Sequence, residues 1–579
     1  MSTAANATAT TANPRDEFLG HPKGLFVCFF TEMWERFSFY GMKALLLLYI
    51  LKYHLFGDDA GYDLLGAYGG LVYAVPVIGG LLADRYLGMR KAVVLGAVLL
   101  VLGHTGMAYE GEAARLVDGV VVRDEGALQV FYLSLALIIM GVGFLKPNIS
   151  TIVGRLYPEN DPRRDSGFTL FYAGINVGAL FASLICAFLG ETYGWKYGFG
   201  AAGLGMVAGL VMFLWGQKYL HGHAEPNDPG KLAERVAGLS REWWIYLGSF
   251  AGVAVVWQLI QRTWTVHGAM HVIAIALAAW FVWFLWKHCS KIERQQMLTL
   301  VFLIFGVLIF FALYEQTYGS WLTFTDRLLS KDLFSLSLGD YTAALPWAVY
   351  SLAVSPPLMI AALMVSDRGH GGLAKSLVGL MAVGLAVAIA HDVVLVPQTA
   401  GSLTFLGAFF IVVLAPVFSW LWPWLDKRGL NPSKPAKMGI GLVFAGLSFI
   451  PLLMAAQQIG ATGVMASVWW LVLAYFVLEI GEMCLSPIGL SAVTQLSVAR
   501  VVGLMMGAFW LGTAYSEVIA AQFGKLASLD IVEGEAIDMV VAAGKYAHLF
   551  EMMLWIGIGS GVVFLLLTPI ARRWMHGVK

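Results

Sequence analysis

The stretch Glu32-Met33-Trp34-Glu35-Arg36-Phe37-Ser38-Phe39-Tyr40-Gly41-Met42-Lys43 lies inside an apolar segment that runs from about Gly24 to Leu55. Four ionisable residues therefore fall where lipid would forbid them. A charge at the centre of an inserted helix costs roughly 2.5–3.5 kcal/mol. Four unpaired charges would cost on the order of 10 kcal/mol, while each surrounding Leu or Phe returns only about 0.3–0.6 kcal/mol. At about 100° per residue, Glu32, Glu35, Arg36, Tyr40 and Lys43 fall within one arc of roughly 140°, and Lys43 is about 16 Å along the axis from Glu32. One face is polar over half a bilayer and the others are apolar, as in the wall of a polar pathway. Snorkelling suits Lys23 and Lys52 at the ends, not a cluster of both signs in the middle.

The rest of the chain agrees. Of 579 residues, 59% are hydrophobic and 13% charged, about half the charge of a soluble protein. The composition predicts an all-α polytopic membrane protein. Lys+Arg and Asp+Glu are equal at 37 each, which leaves no global field for nucleic acid. The four cysteines (28, 186, 289 and 484) lack ligand spacing and read as buried apolar residues. Residues 1–22 are polar and lack an h-region. They are expected to form a disordered cytoplasmic tail with no cleaved leader.

Sixteen segments are long and apolar enough to span: 24–55, 64–84, 91–110, 127–155, 167–191, 195–216, 243–262, 266–288, 298–322, 343–366, 374–396, 401–424, 437–456, 465–490, 502–526 and 547–571. They should be helical, because an open strand cannot satisfy its backbone in lipid. Basic clusters fall in the even-numbered loops: Arg85, Arg90 and Lys91; Arg155, Arg163 and Arg164; Lys218, Lys231, Arg235 and Arg241; Lys287, Lys291 and Arg294; Lys427, Arg428, Lys434 and Lys437. Arg572, Arg573 and Lys579 close the chain. Asp58-Asp59, residues 110–125 and residues 530–535 are acidic. The positive-inside bias places both termini in the cytoplasm.

Further polar residues interrupt apolar segments. Lys146 is followed by Pro147 and Asn148; proline opens a helix turn, and a buried lysine needs a carboxylate or loses its proton. The alternative, a helix end, fits poorly, because Arg155 and the basic loop come later. Asn176, in Phe171-Tyr172-Ala173-Gly174-Ile175-Asn176-Val177-Gly178, can both donate and accept, which suits a peptide bond or helix–helix contact. Glu315, Glu479 and Glu482 are mid-segment carboxylates able to carry protons. Glu479 reads equally as a structural partner. Glu517 and Glu551 are expected at the interface. His104, His271 and His391 have no ligand neighbours at i+3 or i+4 and are expected to be hydrogen-bonded or interfacial. No nucleophile triad, phosphate loop or metal cluster is legible. An enzyme is not expected, and neither is a metal or cofactor. Buried groups of both signs (Arg36, Lys43 and Lys146 against Glu32, Glu35, Glu315 and Glu482) would fit an amphoteric ligand.

Several of these motifs resemble a known family. Gly79-Gly80-Leu81-Leu82-Ala83-Asp84-Arg85-Tyr86-Leu87-Gly88-Met89-Arg90 resembles the loop between spans two and three of the major facilitator superfamily. Glu32-x-x-Glu35-Arg36-Phe37-x-Phe39-Tyr40, Phe171-Tyr172-x-x-Ile175-Asn176-x-Gly178, Tyr314-Glu315-Gln316 and Gly481-Glu482 with Ser486-Pro487-x-Gly489-Leu490 resemble, in order, motifs of its proton-dependent oligopeptide transporters. The match runs from about Gly20 to Leu526. The resemblance implies a major facilitator fold with two six-helix bundles, residues 23–216 and 297–579. A linker, 217–296, would carry two extra helices. It implies proton coupling through Glu32, Glu35, Arg36, Lys146 and Glu315. Peptide contacts would come from Arg36, Tyr40, Tyr73, Lys146, Asn176, Glu315, Glu482, Ser486 and Trp510. Asp84 and Arg85 would act in gating, with Lys43 and Asp326 as an outer ion pair. Departures are Phe39 for a tyrosine, Lys43 for an arginine, Gly407 for an expected asparagine, Phe509-Trp510 in reversed order, and an added hairpin at 343–396. The expected function is inner-membrane symport of di- and tripeptides with protons, with no obligate protein partner. Transport of an amino acid, nitrate or peptide-like drug on the same scaffold, or peptide sensing without transport, are the alternatives.

Overall fold

Inside a bilayer no water is available to backbone N–H and C=O groups, so a spanning chain satisfies them within helices. The computed structural model describes residues 17–158, 161–334, 346–485, 489–529 and 537–578. It is helical apart from four short two-stranded pairings. The helices are α1 (Lys23–Lys52), α2 (Asp58–Leu82), α3 (Met89–Met107), α4 (Glu125–Arg155), α5 (Arg164–Ala182), α6 (Phe188–Tyr193) and α7 (Trp195–Gly216). After a linker with α8 (Pro229–Ala233) come α9 (Arg241–Ile260) and α10 (Thr263–His288). Then follow α11 (Lys291–Tyr314), α12 (Ser320–Leu328), α13 (Trp347–Asp367), α14 (Gly371–Leu395), α15 (Phe405–Asp426), α16 (Lys434–Leu447) and α17 (Phe449–Thr462). The last are α18 (Trp469–Leu485), α19 (Gly489–Leu496), α20 (Val502–Lys525) and α21 (Met539–Trp574).

Fourteen helical stretches among the described residues are long and apolar enough to cross a membrane. Every one of the sixteen predicted segments falls on a helix. The two outside the fourteen are α1, with its charges, and the 17-residue α18. Residues 343–345 and 486–488 of two predicted segments lie outside the described residues. The predicted 298–322 continues to Leu328 across a tight turn at Glu315–Thr317. Residues 17–22 are not an unstructured lead-in. Glu17–Phe18 pairs with His21–Pro22, and Arg163 binds Glu17 at 2.8 Å.

Helices α1 to α7 pack mainly on one another, as do α11, α12 and α15 to α21. The two sets meet along α2 against α20 and α5 against α15. Small residues permit the closest crossings. A carbon added at Gly79 of α2 would lie 2.1 Å from the Gly143 carbonyl of α4, so only glycine fits there. The α13–α14 hairpin packs on itself and is tied to the body by Lys23 and Tyr219, which both bind Asp367. Between the hairpin and α1, α5 and α15 lies an apolar slot of about 750 Å³.

Candidate functional site

Between the two helix sets lies a cavity of about 300 Å³. Tyr40 of α1, Tyr73 of α2, Lys146 of α4 and Asn176 of α5 line it from one set. Glu315 after α11, Glu482 of α18 and Trp510 of α20 line it from the other. Seven of the nine expected peptide contacts therefore share one chamber. Ser486 lies outside the described residues. Arg36 does not reach the wall, because its guanidinium is held by its own helix. It binds Glu35 through both forks, Nη2 to Oε1 at 2.6 Å, and Glu32 at 3.3 Å. All three side chains are buried.

Lys146 also departs from expectation. Among the described residues it forms no ion pair, with Glu32, Glu35 or any other carboxylate. Its ammonium lies 4.5 Å from the Tyr73 ring centre and 5.5 Å from that of Trp510. An aromatic cage holds a cation by its ring faces and leaves its N–H donors for a ligand anion. Across the chamber, Glu482 Oε2 has no hydrogen-bond partner among the described residues, and neither does buried Glu479 Oε2 behind it. Gly407 explains how two carboxylates fit here. A carbon added at Gly407 would be 3.1 Å from Glu479 Oε1, which accepts from the Tyr314 hydroxyl at 3.3 Å. One wall thus presents a lysine amine bound to no carboxylate among the described residues, and the other a pair of glutamate side chains, Glu479 and Glu482.

The ends of the cavity differ. At the C-terminal end of α1 the two sets are locked together. Lys43 binds Glu315 at 2.7 Å and Glu517 at 2.9 Å. Arg327 grips Asp58 through two bonds of 2.6 and 2.7 Å. Lys52 binds Asp326 at 2.6 Å, Lys525 binds Asp63 at 2.5 Å, and Ser528 binds Asp59 at 2.6 Å. This corrects two expectations. Asp326 pairs with Lys52, not Lys43, and Glu517 is a buried partner of Lys43 rather than an interfacial residue. At the other end, ion pairs among the described residues stay within one set or reach the linker or hairpin. Tyr172, on the cavity wall, is 38% exposed; with no ion pair among the described residues joining the two sets here, this end is left unlocked.

Other expected residues fall away from the cavity. Asp84 and Arg85 are exposed in a turn, Ala83–Leu87, that ends at Gly88 against Pro226 of the linker. Phe39 is buried and faces Tyr68 rather than the chamber, so its missing hydroxyl removes no cavity contact. His271 meets the Tyr515 hydroxyl at 2.6 Å, and His391 meets Asp392 at 2.9 Å. His104 is fully buried, and among the described residues neither ring nitrogen is hydrogen-bonded, against expectation.

Comparison with known proteins follows the same lines. A family model described as the POT family matches residues 90–339 and 396–538. The uncharacterized transporter YclF of Bacillus subtilis is 32% identical over 599 aligned residues, covering 100% of both chains. A di-/tripeptide transporter of Lactococcus lactis subsp. lactis is 28% identical, covering 97% of this chain and 98% of its own. A crystal structure of a peptide transporter POT in complex with sulfate superposes with a TM-score of 0.72 at 29% identity, covering 97% of this chain and 98% of that one.

Proposed function

The chain belongs to the POT family, and from that premise we propose that it imports di- and tripeptides with protons across the cell inner membrane by alternating access. The observation that carries this reading is the chamber with Lys146 on one wall and Glu482 on the other. A short peptide is a zwitterion. Its carboxylate suits the caged ammonium, its ammonium suits the carboxylate, and Asn176 can bond the amide between them. A volume of about 300 Å³ lies at the small end of ligand pockets, which run from about 300 to 1,000 Å³, and so favours short peptides. The similar transporter from Lactococcus lactis is described as taking di- and tripeptides, in keeping with that size.

We read the chamber as opening at its unlocked end, where the basic loops lie, so the positive-inside bias makes that side, and both termini, cytoplasmic. The conformation is then inward-facing, with the ion pairs around Asp58 and Arg327 closing the outer mouth. The two helix sets are the rocking halves, and the site between them is reached from either side in turn. Coupling runs through the Glu32–Glu35–Arg36 cluster. A proton on Glu35 loosens its hold on Arg36, and when Arg36 turns to a second partner Lys146 can take the Glu32 carboxylate that it leaves. Asp84 and Arg85 act at the cytoplasmic turn, where the linker docks.

Uptake by purified protein in liposomes tests the proposal. An inward proton gradient should drive labelled dialanine above its external concentration. Excess free alanine or nitrate should not compete, whereas an unlabelled tripeptide should. Absence of accumulation, with peptide binding retained, would mean a sensor rather than a transporter.

A further inference from the structure

Glu517 enters the account so far only as a partner of Lys43 at the locked end of the cavity. Its carboxylate is 3% exposed, and a carbon added at Gly69 would lie 2.5 Å from it. Only glycine at that point of α2 lets α20 bring a carboxylate so deep. Lys43 lies between Glu517 at 2.9 Å and Glu315 at 2.7 Å, and all three side chains are more than nine-tenths buried.

The charges facing this cluster come from few elements. Helix α1 supplies Lys43, while Arg36 is held by Glu35 and Glu32. Helix α2 supplies the phenols of Tyr68 and Tyr73; its Asp63 is bound to Lys525. From α10, His267 faces Asp63 and His271 faces Tyr515, not Glu517. The turn after α11 supplies Glu315, and Tyr318 lays its ring 4.9 Å from the Lys43 ammonium. One cation therefore meets two carboxylates. With all three ionised, the buried cluster carries a net negative charge that no other cation among the described residues contacts. Two carboxylates around one site do not both ionise readily in a low dielectric.

We propose that Glu315 and Glu517 together bind one proton whenever Lys43 sits between them. This deepens the symport reading and rests on it. With the outer mouth open, the carboxylates face outer water and one takes a proton from it. Closure inserts Lys43, and charges then balance. The proton leaves through Glu315, which lines the chamber, into water on the cytoplasmic side. Its departure leaves the closed mouth with excess negative charge and favours reopening. Glu315 alone would balance Lys43 without a proton, so Glu517 makes closure depend on one.

The test uses the full chain and two variants, Glu517→Gln and Glu517→Asp. In liposomes, Glu517→Gln should lower the measured proton-to-peptide ratio by one and flatten the dependence of uptake on outer pH. Glu517→Asp should retain both. An unchanged ratio and pH profile in Glu517→Gln would overturn the proposal, even where the amount of folded protein falls, since that is what a merely structural carboxylate predicts. Infrared spectra of the detergent-purified protein give an independent reading. A protonated-carboxyl C=O band at neutral pH should shift in Glu517→Asp. No shift overturns the proposal whether or not the Gln variant folds. If the wild type shows no proton-driven uptake at all, the symport reading fails, while the infrared result still decides whether this proton exists.

Discussion

In the proposed inward-facing state, replacing Arg327 by Met should open the outer mouth. Arg327 and Asp58 are 7% and 4% exposed, and their two bonds of 2.6 and 2.7 Å join α12 of one helix set to α2 of the other. Breaking a buried pair by removing one partner costs about 3–5 kcal/mol, because the remaining charge stays desolvated. Asp58 keeps one donor, the Leu529 backbone N–H at 2.9 Å, which favours the lower figure. The penalty applies only while the mouth is closed, since water reaches Asp58 when it opens. At about 1.4 kcal/mol per tenfold, about 3 kcal/mol shifts the open population roughly a hundredfold. A cysteine at Ala521, 3% exposed beneath Gly66, reports that population in a background without the native cysteines. Its labelling by an impermeant maleimide from the outer side should speed up by about two orders of magnitude in Arg327→Met. In a double-mutant cycle, adding Asp58→Ala should relieve much of that effect, because no charge is left stranded. An unchanged labelling rate, or strictly additive effects, would refute this account of the closed mouth.

Glu35→Gln and Lys146→Ala should each abolish gradient-driven peptide accumulation in liposomes; normal pumping by both would remove the coupling role of the α1 cluster. Gly79→Ala should destabilise the protein by about 1–3 kcal/mol, read as a lower thermal midpoint, since the added methyl collides with the Gly143 carbonyl and backbone must move. His54 gives a pH-dependent prediction. It is buried in the loop after α1, among Tyr49, Tyr53 and Phe131. Burial first, and the Arg123 charge second, lower its pKa to about 4 from the ordinary 6.5. The unfolded chain then binds a proton that the folded one does not, so stability is full above 6.5 and falls as pH drops toward 4. The loss reaches about 3 kcal/mol at 1.36 kcal/mol per unit. His54→Phe should abolish that loss, so the difference in thermal midpoint between pH 7.5 and 4.5 should shrink.

The sequence made the chamber legible because its residues break local rules. A lysine before proline and glutamates amid Leu and Phe are costly in lipid, and such residues turn inward together. Partners were harder to read. The i,i+4 spacing of Glu32 and Arg36, and the adjacency of Glu35, already allowed an arginine satisfied by its own helix. The expected peptide contact was drawn from resemblance instead. Lys43 finds Glu517, 474 positions away, only because α2 and α20 cross at Gly66 and Gly69. No window along the chain shows that crossing. Position 517 also lies two-thirds of the way along its segment, where lipid depth cannot be read from hydropathy. Arg327, next to Asp326, is the residue buried in the lock. Adjacent residues on a helix point about 100° apart, so naming the wrong neighbour reversed which charge faces inward.

The central claim is that the two ends of one peptide are read by Lys146 and Glu482 from opposite walls. Binding of dialanine, its N-acetyl form and its C-terminal amide to the wild type, Lys146→Ala and Glu482→Gln measures this directly. A charge-assisted hydrogen bond is worth about 1.5–3 kcal/mol, so each blocked end should cost about ten- to a hundredfold in affinity in the wild type. The amide should cost almost nothing further in Lys146→Ala, and the acetyl group almost nothing further in Glu482→Gln. Full penalties for both blocked ends in both variants would contradict the account.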